Sequence, residues 1–474
     1  MHQVFHIDQL LNRHLRWRLS LFLVAGVATL VVACGGGSDS PDGAAPTPAG
    51  SDEAPVAQAP TDPTPTTEST ATPVPTPTTA DPEPTVDTVS PSEDEATPEP
   101  TVKPTVEINI GDDTEAARAE RLRLIWKWDT NFNERNISLN DVKIVLPRDQ
   151  IVPIDEPKFV PVTEAPAYMK PREPVVAVVV NGEAKAYSLA MLMWHEIVND
   201  TIGGLPVTVT FCPLCNTGIT FERVVDGQEL TFGTSGMLRN SDLVMWDRQT
   251  QSWWQQITGE ALVGDFAAND TVLKFVPSSI IAWETFVDAY PDGQVLTRVF
   301  SAGQPLRPYD SPPYAGYDNI DDRPFLFTGT LDDRLVATSR VLTIDGEISV
   351  AYPFAFLEET PVLNDSVNGV ALTAFFDDGT LSAFKDQFNA DQAVGSVAVF
   401  SRTIGDRTLT FELTESGITD TETGSTWNLA GIAVSGELEG TQLSPVVHAN
   451  HFWFAWAVFK PETVIRDSVE DLTT

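Results

Sequence analysis

An internal repeat constrains what this chain can fold into more than any other feature. The stretch "VVVNGEAKAYSLAMLMWHEIVNDTIGGLPVTVTF" from Val178 aligns with "VLTIDGEISVAYPFAFLEETPVLNDSVNGVALTAFF" from Val341. Asn199 and Asp200 fall on Asn364 and Asp365, Gly204 on Gly369 and Phe211 on Phe376, with no gap between them. Further on, the segment from Arg223 parallels a shorter one from Arg402, placing Asp247 on Asp420, and "SSIIAWETFVDAYPDGQVL" parallels "HANHFWFAWAVFKPETVI", with Trp283 on Trp453 and Pro291 on Pro461. Self-similarity of this kind makes each copy one supersecondary unit.

Each copy has the same pattern. A β-branched strand runs through an Asn-Gly or Asp-Gly pair (Asn181-Gly182, Asp345-Gly346) of the type that supplies positive φ in a two-residue hairpin. A short helix comes next, then strands of alternating apolar residues, then an aromatic helix ending at proline. The expected fold is therefore α+β and β-rich, as two pseudo-symmetric repeated units of mostly antiparallel strands with short helices. The expected units are residues 115–300, which hold a Cys-x-x-Cys pair, and residues 301–474, which do not. Tryptophans 253, 254, 283, 427, 453 and 456 are expected as core and interface anchors.

The N-terminal part reads differently. Arg13, Arg16 and Arg18 precede the apolar run Leu19–Ala33, which at 15 residues is short of the roughly 20 that span a bilayer. Residues 1–33 thus read as a secretion signal. "VVAC" resembles a bacterial lipobox, with Cys34 as the lipidated first residue of the mature protein. Residues 34–114 are rich in Pro and Thr and sparse in large apolar groups, so burial cannot offset their ordering entropy. They are expected to be a disordered acidic linker projecting the body from a membrane to which lipid on Cys34 holds it. The expected location is the outer face of the cytoplasmic membrane or the cell envelope. A formal net charge of -38 excludes nucleic acid as a partner, since phosphate demands clustered Lys and Arg.

Differences between the copies locate the chemistry. Cys212 and Cys215 align with Asp377 and Thr380, His195 with Thr360 and Glu196 with Pro361, so the Cys pair and its nearest histidine belong to one copy only. Beyond the signal only His195, His448 and His451 remain. His195 is expected on a helix ending near Asn199, which the strand "LPVTVTF" returns to the Cys turn. His448 and His451, three apart at the start of the last helix, are expected on one face.

Thiolate and imidazole suit zinc or copper. The expected ligands are Cys212, Cys215 and His195, with His448, His451, Met237, Glu196 or water as a fourth. Thioether participation by Met237 would favour Cu(I), and a tetrahedral N/S set zinc. Outside the cytoplasm the two cysteines are also free to serve as an exchanging or a structural disulfide. Covalent haem is not expected, because Asn216 and not His follows the second cysteine. No Walker loop, Gly-x-Ser-x-Gly elbow or His-Glu-x-x-His motif is present, so no nucleotide is expected and no reaction is assigned. The polar group Ser235, Arg239, Asn240, Asp242, Asp247 and Arg248 reads as turn chemistry with a buried ion pair.

At "WHEIVND", "FCPLCNTGITF", "SGMLRNSDLVMWDR", "STWNLAG" and "HFWFAWAVFKPET" the chain resembles the bacterial family called domain of unknown function 3179, over most of Arg121 to Val464. The resemblance implies an exported or lipid-anchored protein and carries no substrate. The function expected from residues and resemblance together is an extracytoplasmic lipoprotein binding one transition-metal ion, for metal handling or electron transfer. The alternatives are a thiol–disulfide oxidoreductase and a non-catalytic envelope binding module.

Overall fold

The hairpin that Asn181-Gly182 suggests is present. Strands Pro174–Val180 and Glu183–Ser188 pair antiparallel across Asn181 (φ 51°) and Gly182 (φ 84°), the left-handed pair that a two-residue turn needs. The structure, a computed structural model, describes residues 114–298, 307–319, 323–385 and 391–473. The expected signal, the lipid site at Cys34 and nearly all of the linker lie outside the described residues. The protein is β-rich and mostly antiparallel, with few short helices. Among the described residues no helix is long and apolar enough to cross a membrane.

In the first half the hairpin lies in a five-stranded sheet. Ser278–Ala282 pairs antiparallel with its first strand, and Gln294–Leu296 pairs parallel with its second. A second sheet is made of Ile197–Ile202, Leu205–Cys212, Thr217–Glu222 and the short Phe275–Val276. A third is the meander Phe232–Arg239, Asp242–Asp247, Trp253–Gln255 and Ala261–Val263, with Lys143–Ile144 on its edge. In the second half Arg340–Ile344 and Val350–Pro353 pair antiparallel, flanked by Ala449–Phe452 and, in parallel, Val464–Ile465. Val362–Val367, Val370–Asp377 and Ser396–Ser401 form a three-stranded sheet, and Phe411–Thr414 begins a four-stranded meander that ends at Ala433–Ser435.

Three local expectations are corrected. The helix carrying His195 is Leu189–His195 and stops at Glu196, whose left-handed backbone (φ 58°) turns the chain into the strand Ile197–Ile202. Asn199 is therefore a strand residue, as the β-branched run around it favours. His448 and His451 do not lie on a helix, because the chain is extended over Ala449–Phe452 and turns helical only at Trp453. Asp345-Gly346 is not a two-residue turn; five residues separate Ile344 from Val350, and Asn368 holds that loop by bonding Ile348 N (2.9 Å) and Ile348 O (3.0 Å).

All six tryptophans expected as anchors are buried. The largest core cluster draws on both halves, bringing Val209, Phe211 and the two cysteines together with Phe384, Phe452 and Trp453. Two buried bond sets occur in both halves. Asp247 accepts from Thr250 N (2.7 Å), Thr250 Oγ1 (2.9 Å) and Trp254 Nε1 (3.0 Å), while Thr250 Oγ1 lies 2.7 Å from Ser252 Oγ. Asp420 accepts likewise from Thr423 N (2.7 Å), Thr423 Oγ1 (2.8 Å) and Trp427 Nε1 (2.9 Å), with Ser425 Oγ 2.8 Å from Thr423 Oγ1. Asn199 brackets the backbone of Phe232 through N–H and C=O, and the Asn364 side chain brackets that of Phe411 in the same way. Gly264 and Gly436 each pass so near the backbone of Ser252 and Ser425 that a Cβ would meet those residues' Cα at 2.7 Å, so only glycine fits.

Because Asp420 is wholly buried and satisfies three donors, Asp420→Ala leaves them unpaired and should cost about 3 kcal/mol. Trp427→Phe, which removes one donor and keeps an aromatic ring, should cost less than half as much. Urea unfolding midpoints at unchanged slope check the order.

Candidate metal centre

The Cys-x-x-Cys stretch forms a tight bend between two antiparallel strands. Strand Leu205–Cys212 runs into the one-turn 3₁₀ segment Pro213–Cys215, Asn216 takes the left-handed conformation (φ 52°, ψ 38°), and Thr217–Glu222 returns, with Cys212 opposite Thr217. Pro213 fixes the first turn residue at a helical φ and has no N–H to leave unpaired. The bend thus brings positions three apart together. Both cysteines are free thiols and buried, at 2% and 0% exposure.

A second tight turn meets this bend. The strands Phe232–Arg239 and Asp242–Asp247 are joined by Asn240 and Ser241 alone, both left-handed (φ 52° and 70°). The Ser241 carbonyl accepts from both thiols, at 3.8 Å from Cys212 Sγ and 3.6 Å from Cys215 Sγ. Asp242, fully buried, accepts at Oδ2 from Gln255 Nε2 (2.6 Å) and Ile257 N (3.0 Å), while Oδ1 has no hydrogen-bond partner. One ligand atom from each of Cys212, Cys215 and Asp242 lies within 4.8 Å of the others. Gln255 in turn accepts from Arg239 Nη1 (3.1 Å), which fixes the amide that orients the carboxylate.

Glu196, outside that trio of ligand atoms, is a second buried carboxylate whose charge acts on Cys212; its backbone is left-handed just past the helix, and Phe211 N bonds its carbonyl at 2.8 Å. Burial, and then the charge of Asp242, raise the Glu196 carboxyl to about 8. Burial raises Asp242 to about 6, against the opposing bonds from Gln255 and Ile257. The Cys212 thiol is pushed up by burial and by the two carboxylates, and Cys215 well up by burial and by Cys212. Tyr314 and Tyr317 lie near the cluster, their phenols raised by burial first and then by charge on the neighbouring acids and thiols. No salt bridge reaches Glu196 or Asp242 among the described residues. Four acids are thus buried together, and without a cation each of them is held toward its protonated form.

The other residues expected as ligands lie elsewhere. His195 Nδ1–H donates to Val152 O (2.6 Å), so Nε2 of the neutral ring accepts from Tyr309 O–H (2.7 Å) and its lone pair is in use. The charge of the adjacent Glu196 does reach Cys212 and raises its thiol. Met237 packs among Trp128, Trp246 and Trp253 in a different core cluster. His448 bonds Val446 O (2.7 Å) and Ser279 Oγ (3.3 Å). His451 comes nearer: Nδ1 is 2.7 Å from Thr217 Oγ1, which bonds Cys215 O, and the ring stacks on Trp456 at 5.0 Å. Burial takes its pKa down to about 3, and Nε2 has no partner. Sequence reasoning misses Asp242 as a ligand, because its surroundings read as turn chemistry. The signal for it is the length of the 232–247 hairpin, whose counterpart at 411–420 is shorter.

Residues 148–463 match the family described as protein of unknown function (DUF3179), and the chain belongs to that family. Comparison with curated proteins and with solved structures returns no match.

The acid shifts set a pH dependence for the metal-free protein. Where folding raises a carboxyl's pKa, the unfolded chain binds fewer protons than the folded one, so stability falls as pH rises from the ordinary value to the folded one. For Glu196 the fall runs from 4.5 to about 8, and for Asp242 from 3.8 to about 6. Thermal melts in chelator should therefore drop between about pH 5 and about pH 8, and Glu196→Gln should flatten the part of the slope above about pH 6.

Proposed function

We propose that this protein is an exported, lipid-anchored metal-handling protein that holds one divalent transition-metal ion, zinc before copper, on Cys212, Cys215 and Asp242, with Glu196 beside the fourth position. The observation that carries this reading is the mutual proximity of three buried ligand atoms beside the unpartnered Asp242 Oδ1. Zinc bonds of about 2.3 Å to sulfur and about 2.1 Å to oxygen set tetrahedral ligand separations of about 3.5–3.8 Å. The 4.8 Å bound accommodates them with small side-chain movement. Two thiolates select against magnesium and calcium, and a set without thioether or imidazole favours zinc over copper and metal handling over electron transfer. A dication reverses the local acid chemistry, since its charge stabilises the thiolates and carboxylate that burial alone disfavours.

Export and lipid anchoring are supported by the arginines before Leu19–Ala33, by "VVAC" at Cys34 and by the Pro/Thr-rich linker. Thiol–disulfide exchange is less well supported, because both thiols are buried and raised in pKa, the reverse of an activated thiolate. We also read the body as a duplication, supported by the paired bond sets at Asp247 and Asp420 and at Asn199 and Asn364. On that reading the centre belongs to one copy, since Thr380 Oγ1 bonds Asp377 Oδ2 (2.7 Å) where the other copy has its cysteines.

Full-length protein purified under reducing, zinc-replete conditions should carry about one ion per chain by elemental analysis. Cys212→Ser/Cys215→Ser should carry none, and Asp242→Asn should bind at least about tenfold more weakly. His195→Phe should retain the ion. Wild-type protein without metal would overturn the reading, as would a His195→Phe variant that loses the ion while keeping its fold.

A further inference from the structure

The carbonyl oxygen of Ser241 lies 3.8 Å from Cys212 Sγ and 3.6 Å from Cys215 Sγ. Bonds of about 2.3 Å from zinc to sulfur and about 2.1 Å to oxygen set sulfur and oxygen about 3.6 Å apart in a tetrahedral site. Both observed separations match that edge closely, so the two sulfurs and this oxygen already stand as three corners of a zinc-sized tetrahedron. Asp242, the next residue, offers a second oxygen. Its Oδ2 is taken by Gln255 Nε2 (2.6 Å) and Ile257 N (3.0 Å), which leaves Oδ1, buried and without a hydrogen-bond partner, as the oxygen with lone pairs to give.

The bonding of the carbonyl leads the same way. Ser241 is 1% exposed, and among the described residues no N–H donates to its carbonyl, so the two thiols are its donors. An ion that binds through sulfur removes both of those donors, because each thiol gives up its proton to become a ligand. The buried carbonyl would then be an unpaired acceptor, which is costly, and coordination of the same ion supplies the missing partner. Charge balance agrees. Two thiolates and one carboxylate exceed a dication by one negative charge; a neutral carbonyl adds none, whereas an ionised Glu196 as fourth ligand would bring the buried set to two. The oxygen is also held in place. Asn240 and Ser241 form a turn of two left-handed residues (φ 52° and 70°), and Ser241 Oγ is tied away by donating to Phe325 O (2.8 Å).

We propose that the main-chain carbonyl of Ser241 is the fourth ligand of the centre, closing a tetrahedron with Cys212 Sγ, Cys215 Sγ and Asp242 Oδ1. This inference rests on the metal-handling reading above and specifies it further. Four protein ligands leave no open position for water or substrate, so the ion is held and not used for hydrolysis. Glu196 is then outside the ligand set.

Cobalt(II), a zinc substitute whose visible spectrum reports its coordination, tests this in the full-length protein under reducing conditions. Wild type should show a sulfur-to-cobalt charge-transfer band and intense tetrahedral d–d bands, and saturating azide should leave both unchanged, since no position is open. In protein labelled with ¹³C at serine carbonyls, cobalt should move one carbonyl signal far outside the ordinary range. Ser241→Gly carries no label at that carbonyl, and compared at equal cobalt load it should lack the displaced signal. Cobalt bands that shift with azide, or labelled wild type with no displaced serine signal, would overturn the carbonyl ligand while leaving the cysteines and Asp242 as ligands. Absence of any sulfur-to-cobalt band would overturn the metal reading and this inference together.

Discussion

Burial of acidic groups without a counter-charge is the constraint around which this protein is arranged. Cys212, Cys215, Asp242 and Glu196 sit together at almost no exposure, and neither carboxylate has a salt bridge among the described residues. In that setting desolvation dominates, and each group is pushed toward its neutral form. The surrounding bonds partly oppose this. Gln255 and Ile257 donate to Asp242 and lower its pKa, and Arg239 fixes Gln255. The two donors therefore hold one carboxylate oxygen in place and favour its ionised form, against the burial that favours the neutral one.

At Asp377 and Thr380 the second half still brings positions three apart into contact, but there the two side chains satisfy each other, and Ser396 Oγ lies 2.8 Å from Thr380 Oγ1. There the Asp–Thr pair leaves no thiol and the Thr380 hydroxyl is bonded within the group. What distinguishes the first half is the longer hairpin. Strands of eight and six residues, closed by two left-handed residues, extend far enough to lay Ser241 and Asp242 on the bend, while the corresponding strands Phe411–Thr414 and Gly417–Asp420 stop short.

Much of the framework is legible in the sequence because it is set by local and repeated signals. Alternation marks the strands, Asn181-Gly182 marks a hairpin, and the matched Asp247 and Asp420 mark a structural carboxylate. Misreadings arise where tertiary context decides between local options. "WHEIVND" has helical residues up to Glu196 and β-branched ones after it, and a left-handed Glu196 ends the helix earlier than the apolar spacing suggests. "HANHFWF" begins as an edge strand because Arg340–Ile344 offers it a partner, so its two histidines meet different neighbours, Ser279 and Thr217. The pair Asp345-Gly346 loses its turn to a longer loop pinned by Asn368, a residue from a different hairpin. The cysteines and Glu196 are legible as candidates, but Asp242 beside them is not, because its nearness arises from two turns meeting across the core.

His195, expected as a ligand, has both ring nitrogens engaged by other groups. A neutral imidazole has one lone pair to give, and the Nδ1–H bond to Val152 leaves that lone pair on Nε2, where Tyr309 occupies it. To offer Nε2 to another partner the ring would have to give up the Tyr309 bond inside a buried environment. Glu196 ends the helix in a left-handed conformation, the charge of its buried carboxyl raises the Cys212 thiol, and the bond from Phe211 N ties its carbonyl to the strand that ends in Cys212. The residue that terminates the helix thus acts electrostatically on Cys212, and the bonds of the histidine one position earlier hold that terminus in place.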